Sequence, residues 1–128
     1  MKNEEHKNQH ALVSWWAIVC KKYNLPEFAL YACPNGGARN AVTGAILKRE
    51  GVRRGIPDLF LAHPSNGFAG MYIEMKASKG VISKDQQAFI DHASKNYNCV
   101  ICYDWMEAKT SIESYLTALP EEPARIEY

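Results

Sequence analysis

Apolar positions along this 128-residue chain change their period several times, and each change marks an element. Leu12, Trp15, Trp16 and Val19 recur at i, i+3, i+4, i+7, which predicts an amphipathic helix over Glu4–Tyr23. Carried backwards, the same face takes in Gln9 and Glu5, while Glu4 lies about 100° away, so Glu5 is the acid expected to look inward. A second reading of Glu5, a carboxylate that simply favours a helix N-terminus, stays open. Asn24-Leu25-Pro26 stops the helix, Phe28–Ala32 reads as a short strand, and Cys33-Pro34-Asn35-Gly36-Gly37 is turn chemistry. Ala38–Glu50 reads as a helix with Gly51 as its stop signal.

Two strands follow, near Leu59–Ala62 and Met71–Lys76, joined through Pro64-Ser65-Asn66-Gly67. Ser83 opens another helix, with Phe89, Ile90, Ala93 and Tyr97 on one stripe. The dense run Cys99–Tyr103 is expected to be an interior strand. Met106–Leu116 reads as a last helix and Pro120–Tyr128 as a loose tail. The order α-β-α-β-β-α-β-α predicts an α/β fold, a mixed β-sheet flanked by helices. Length allows one domain over 1–128, with a core at 5–116 and a tail at 117–128.

Composition narrows the classes. Hydrophobic residues make up 47% of the chain, enough for a core, yet no apolar run approaches a membrane span. Met1–His10 is polar and has no signal-peptide core, so a soluble, non-secreted, cytoplasmic protein is expected. A net charge of +1 says nothing about a polyanionic partner, although Lys48, Arg49, Arg53 and Arg54 crowd together before Pro57-Asp58. That crowding also fits a solvated helix end. Cys20, Cys33, Cys99 and Cys102 show no disulfide framework, and Cys99-Val100-Ile101-Cys102 reads as buried reduced thiols rather than a zinc knuckle or redox pair.

The chemistry gathers around the two central strands. Side chains two apart on a strand share a face, so Glu74 and Lys76 point one way while Ile73, Met75 and Ala77 point the other. If the strands pair as a hairpin, Asp58 stands beside Glu74. Two carboxylates and an amine then meet at one spot, the donor set of hard-cation, phosphate-directed chemistry. Each piece alone has a plain explanation: Glu-x-Lys as a solvent-facing strand edge, Pro-Asp as a turn opener. Ser83-Lys84-Asp85-Gln86 fits a capping box, while Gln86 also lies on the inward stripe and can reach a carboxylate.

Taken together, these residues resemble the virus-type replication-repair nuclease (VRR-NUC) family of the PD-(D/E)xK nuclease superfamily. The resemblance rests on Glu5-His6-x-x-Gln9 in a helix with Trp16, Pro34-Asn35-Gly36-Gly37, and Gly51-Val52-Arg53-Arg54-Gly55-Ile56-Pro57-Asp58-Leu59. It continues through Ile73-Glu74-Met75-Lys76 and Gly80-x-x-Ser83-x-x-Gln86. Asn96-Tyr97-Asn98 departs from the pattern where relatives often carry Gly. The resemblance implies that Asp58, Glu74 and the Met75 backbone carbonyl hold Mg²⁺ or Mn²⁺. Glu5 would serve a second ion directly or through water, Lys76 the charge on the phosphate, and Gln86 the site as an accessory polar group. It further implies a homodimeric endonuclease of branched DNA such as Holliday junctions, cutting by attack of a metal-activated water in a bacterial or phage-infected cell. Phosphate contacts are expected from Arg39, Lys48, Arg53, Arg54, Lys79 and Lys84. The rivals are a non-catalytic DNA-binding module and a sequence-specific restriction-like endonuclease of the same fold.

Overall fold

The computed structural model describes residues 2–35 and 40–117, and its centre is the alternating segment Met71–Met75. Met71, Ile73 and Met75 are almost wholly buried on one face of that strand. The elements are α1 (Lys2–Val19), β1 (Leu30–Ala32), α2 (Ala41–Arg49), β2 (Leu59–Leu61) and β3 (Met71–Met75). They continue with α3 (Lys84–Ala93), β4 (Asn98–Cys102) and α4 (Trp105–Thr117). The strands form one sheet in the order β1-β2-β3-β4. β1 and β2 pair antiparallel, β2 and β3 likewise, and β4 lies parallel to β3 after the α3 crossover. The mixed sheet and its flanking helices match the architecture expected from the hydrophobic pattern.

The helical stripe of α1 works as expected. Leu12 and Trp16 are fully buried against Leu59, Leu61, Met71, Ile73 and Met75, and Ile112 and Tyr115 of α4 complete the layer. Trp16 Nε1–H donates to the Glu27 carbonyl at 2.9 Å, so the indole's one polar atom is satisfied. Asn8 Oδ1 accepts from the Trp105 backbone N–H at 3.0 Å, which ties α1 to the start of α4.

Three boundaries differ from the sequence reading. The long first helix becomes α1 followed by a tighter turn at Cys20–Tyr23, closed by Asn24 at φ +57°. Glu27–Ala29 is a single 3₁₀ turn entered from Pro26, so β1 begins only at Leu30. β4 is an edge strand among the described residues rather than an interior one, and only Cys102 in it is fully buried. Its β-branched, apolar composition specifies a strand but not its rank in the sheet; β3 takes the central place. All four cysteines are free thiols, with Cys20 and Cys102 buried and Cys33 and Cys99 half-buried. No helix among the described residues is long and apolar enough to cross a membrane.

Candidate active site

The β2–β3 register builds the site. Leu59 faces Ile73, so the next position along the pair sets Asp58 beside Glu74. Asp58 Oδ2 accepts the Met75 backbone N–H at 2.8 Å, and its Oδ1 accepts from Asn35 Nδ2 at 3.1 Å. A carboxylate held at both oxygens has a fixed plane. A strand residue's N–H and carbonyl face the same neighbour, so the Met75 carbonyl is also directed to the Asp58 side. On the first strand's continuation, Cys33 N–H donates to the Asp58 carbonyl at 2.8 Å. Burial first, then the Asp58 charge, raise the Cys33 thiol above its ordinary range.

Glu74 is the one buried charged side chain, with 3% of its surface exposed, among the described residues. Its Oε2 accepts from Gln86 Nε2 and lies 3.2 Å from Lys76 Nζ, while its Oε1 is buried with no partner among the described residues. Burial, reinforced by Asp58, pushes the Glu74 carboxyl up to about 7 against the opposing pull of Lys76. Gln86 performs both roles that the sequence left open. Its backbone N–H and Oε1 make the two capping-box bonds with Ser83, and its Nε2 reaches Glu74.

Two glycines set these distances. Gly55 sits at φ +86°, and a Cβ there would lie 2.5 Å from the Asp85 carbonyl, so the basic loop rests directly on the first turn of α3. A Cβ on Gly80 would lie 2.9 Å from the Ala77 carbonyl and 3.4 Å from the Lys76 stem. The lysine is packed from below by bare backbone.

A buried carboxylate raised to about 7 with one oxygen unbonded accepts either a proton or a cation. With Asp58 alongside, the donors are carboxylate and carbonyl oxygens, which suit a hard divalent ion; the residues present fit Mg²⁺ or Mn²⁺.

The VRR-NUC domain family matches residues 3–105, a span that contains Glu5, Asn35, Asp58, Glu74, Lys76 and Gln86. The chain belongs to the VRR-NUC family. A solved VRR_NUC domain protein shares the fold at TM-score 0.69 and 21% identity, covering 88% of this chain and 87% of that one. No curated protein matches the sequence. This VRR-NUC domain is therefore a nuclease-type DNA-processing domain with a PD-(D/E)xK-like core.

Within the VRR-NUC domain, the remaining expected residues divide. Glu5 reaches the same end of β3, where its Oε1 accepts the Ala77 N–H at 3.1 Å. Among the described residues, no group of three or more His, Cys, Asp or Glu side chains converges closely enough to hold a metal ion. The acids thus form a pair, Asp58 and Glu74, with Glu5 engaged alongside. Glu4 does not turn away, as the helical wheel suggested: its Oε1 accepts the Ser78 N–H at 3.1 Å. The wheel describes a helix face, whereas the chain after β3 wraps round the first turn and offers consecutive N–H groups to both acids. Lys48, Arg53, Arg54, Lys79 and Lys84 are exposed, and Arg53 donates back to the Lys48 carbonyl at 3.0 Å. Arg39 and the Gly36-Gly37 turn lie outside the described residues. Sequence reasoning gave Asn35 no role. Its only signal was its place in the Pro-Asn-Gly-Gly turn, since no local pattern shows a side chain crossing to a strand 23 residues away.

Proposed function

We propose that this VRR-NUC domain is a Mg²⁺- or Mn²⁺-dependent endonuclease that hydrolyses DNA phosphodiester bonds, selecting branched DNA such as four-way junctions and working as a homodimer. The observation that carries this reading is the buried Glu74 carboxylate, with one oxygen unbonded, beside Asp58 and within an ion pair's reach of Lys76. Asp58, Glu74 and the Met75 carbonyl would hold the cation, with Glu5 serving a second one directly or through water. Such a cation, when bound, lowers the pKa of a coordinated water and polarises the scissile phosphate.

The protein's own groups account for the rest. Asn35 and the Met75 N–H keep Asp58 in one orientation before substrate arrives. Lys76 holds its ammonium against Glu74 Oε2, from which its donors reach the charge that grows on the phosphate. Gln86 donates to the same oxygen, Glu74 Oε2, from the first turn of α3 and leaves Oε1 free for the cation. Exposed Lys48, Arg53, Arg54, Lys79 and Lys84 supply phosphate contacts that carry no base information, so binding is salt-sensitive and selectivity rests on DNA shape. The spacing of two sites in a dimer would then match the strands of a junction.

The test is a gel of end-labelled junction, flap and plain duplex with Mg²⁺, Mn²⁺ or EDTA. Metal-dependent products, most abundant from the junction, are expected, and Asp58→Asn and Lys76→Ala should bind DNA without cutting it. Binding with no products in either metal would make the domain a non-catalytic module. Equal cutting of junction and duplex would remove the junction preference and leave the nuclease.

A further inference from the structure

One row of the sheet beside the carboxylate pair is built from aromatic rings. Tyr31 of β1 faces Phe60 of β2, and Phe60 faces Tyr72 of β3. Phe60 lies two residues from Asp58 and Tyr72 two from Glu74, so the rings share the carboxylates' face, about 7 Å along the strands. Their packing is continuous. Ring centroids are 5.8 Å apart for Tyr31 and Phe60, and 4.5 Å for Phe60 and Tyr72. Tyr97 stands edge-on to both of the latter at 5.9 and 5.4 Å. A side chain on Gly70 would strike the Phe60 ring at 2.5 Å, and its absence lets that ring lie across β3.

The two ends of the row differ. At the β3 end, α3 covers it, with Phe89 edge-on to Tyr72 at 5.0 Å. At the β1 end Tyr31 leaves 47% of its surface open, more than a core aromatic on a central sheet face would. The row itself carries no carboxylate to repel a phosphate backbone: beyond Tyr72 its next member is Cys99. A DNA strand seated on the Asp58–Glu74 pair has this uncharged, ring-lined row as its neighbour on the same face.

We propose that the open ring of Tyr31, held edge-on by Phe60, is a stacking platform for a nucleobase left unpaired at the branch of the DNA, one row from the scissile phosphate. The proposal rests on the nuclease reading above and adds a source of its substrate selectivity. Ring faces accept any base by stacking, but only a base whose own faces are free. Paired bases within a duplex cannot use the platform. Single-stranded arms, flaps and open branch points can.

The experiment uses the full chain carrying Asp58→Asn, and a flap DNA with 2-aminopurine at the unpaired position next to the branch. Binding should quench the 2-aminopurine fluorescence. Tyr31→Ala in the same background should abolish the quenching and weaken flap binding by about tenfold, the size of one lost base–aromatic stack. Tyr31→Phe should retain both, since the ring and not the hydroxyl does the work. In the cutting-competent protein, Tyr31→Ala should raise KM for the flap while kcat changes little, with duplex affinity unchanged. Unaltered quenching in Tyr31→Ala would overturn the platform, and so would an equal loss on duplex. A change in sedimentation caused by Tyr31→Ala would overturn it too, by assigning the ring to contact with a second copy. The fluorescence readout needs no cleavage, so a parent protein that quenches but never cuts refutes the nuclease reading and leaves the platform standing.

Discussion

Glu74 is pulled two ways, because the proposed cation would need it ionised and its surroundings favour the proton. In the folded chain its carboxyl sits at about 7, against 4.5 for an unburied glutamate. Between those values the folded protein keeps a proton that the unfolded chain has released. Stability contributed by this group is therefore highest below 4.5, declines as pH rises towards 7, and levels off above it. Urea unfolding in EDTA should show a midpoint that drops over this window, and Glu74→Gln should flatten the profile. Added Mn²⁺ should restore stability at pH 8, because a ligand held only by the folded state stabilises it. Asn35 offers a separate test. Asn35→Ala removes the donor on Asp58 Oδ1 and should weaken Mn²⁺ binding by about tenfold or more in calorimetry, with an unchanged circular dichroism spectrum. The strand alternation made Glu74 and Lys76 legible, since period 2 alone fixes a shared face. Asn35 and Glu4 were hidden, because their partners lie 23 and 74 residues away along the chain.

At the level of elements, the first turn of α3 joins helix stability to site geometry through one side chain. Ser83→Ala removes the acceptor of the Gln86 N–H and should cost about 1 kcal/mol in urea unfolding, with cleavage largely kept. Gln86→Glu separates the two duties of that residue. A glutamate preserves the capping box but sets a carboxylate where Gln86 Nε2 now donates to Glu74. Helix content should persist while cleavage falls by more than tenfold, the lower end of the losses seen when a partner of a metal ligand is replaced. The helices were readable because caps and stripes are local. Ser83 and Gly51 each mark a terminus that the structure retains, whereas α2 begins at Ala41 behind an Asn40 cap that the expected start at Ala38 overlooked. Strand rank was not: the apolar run of β4 resembles a central strand, and its edge position follows from which strands pair.

For the whole molecule, stability depends on a single layer in which α1 and α4 cover one face of the sheet. Trp16 is 1% exposed at its centre, and Trp16→Ala should cost roughly 3–5 kcal/mol. That is a large share of a small domain's total, so a loss of cooperative thermal unfolding is expected in circular dichroism. The order of layers along the chain has a further effect. Asp58, Glu74, Lys76 and Gln86 all precede β4, yet β3 pairs with β4 along its whole length, and Asn8 meets the Trp105 backbone 97 residues onward. A nascent chain halted before that point contains every acid of the pair but not the strand and helix that seat β3. Both carboxylates are therefore encoded before the scaffold that holds them, and a fragment ending ahead of Asn98 should show no cooperative thermal unfolding in circular dichroism.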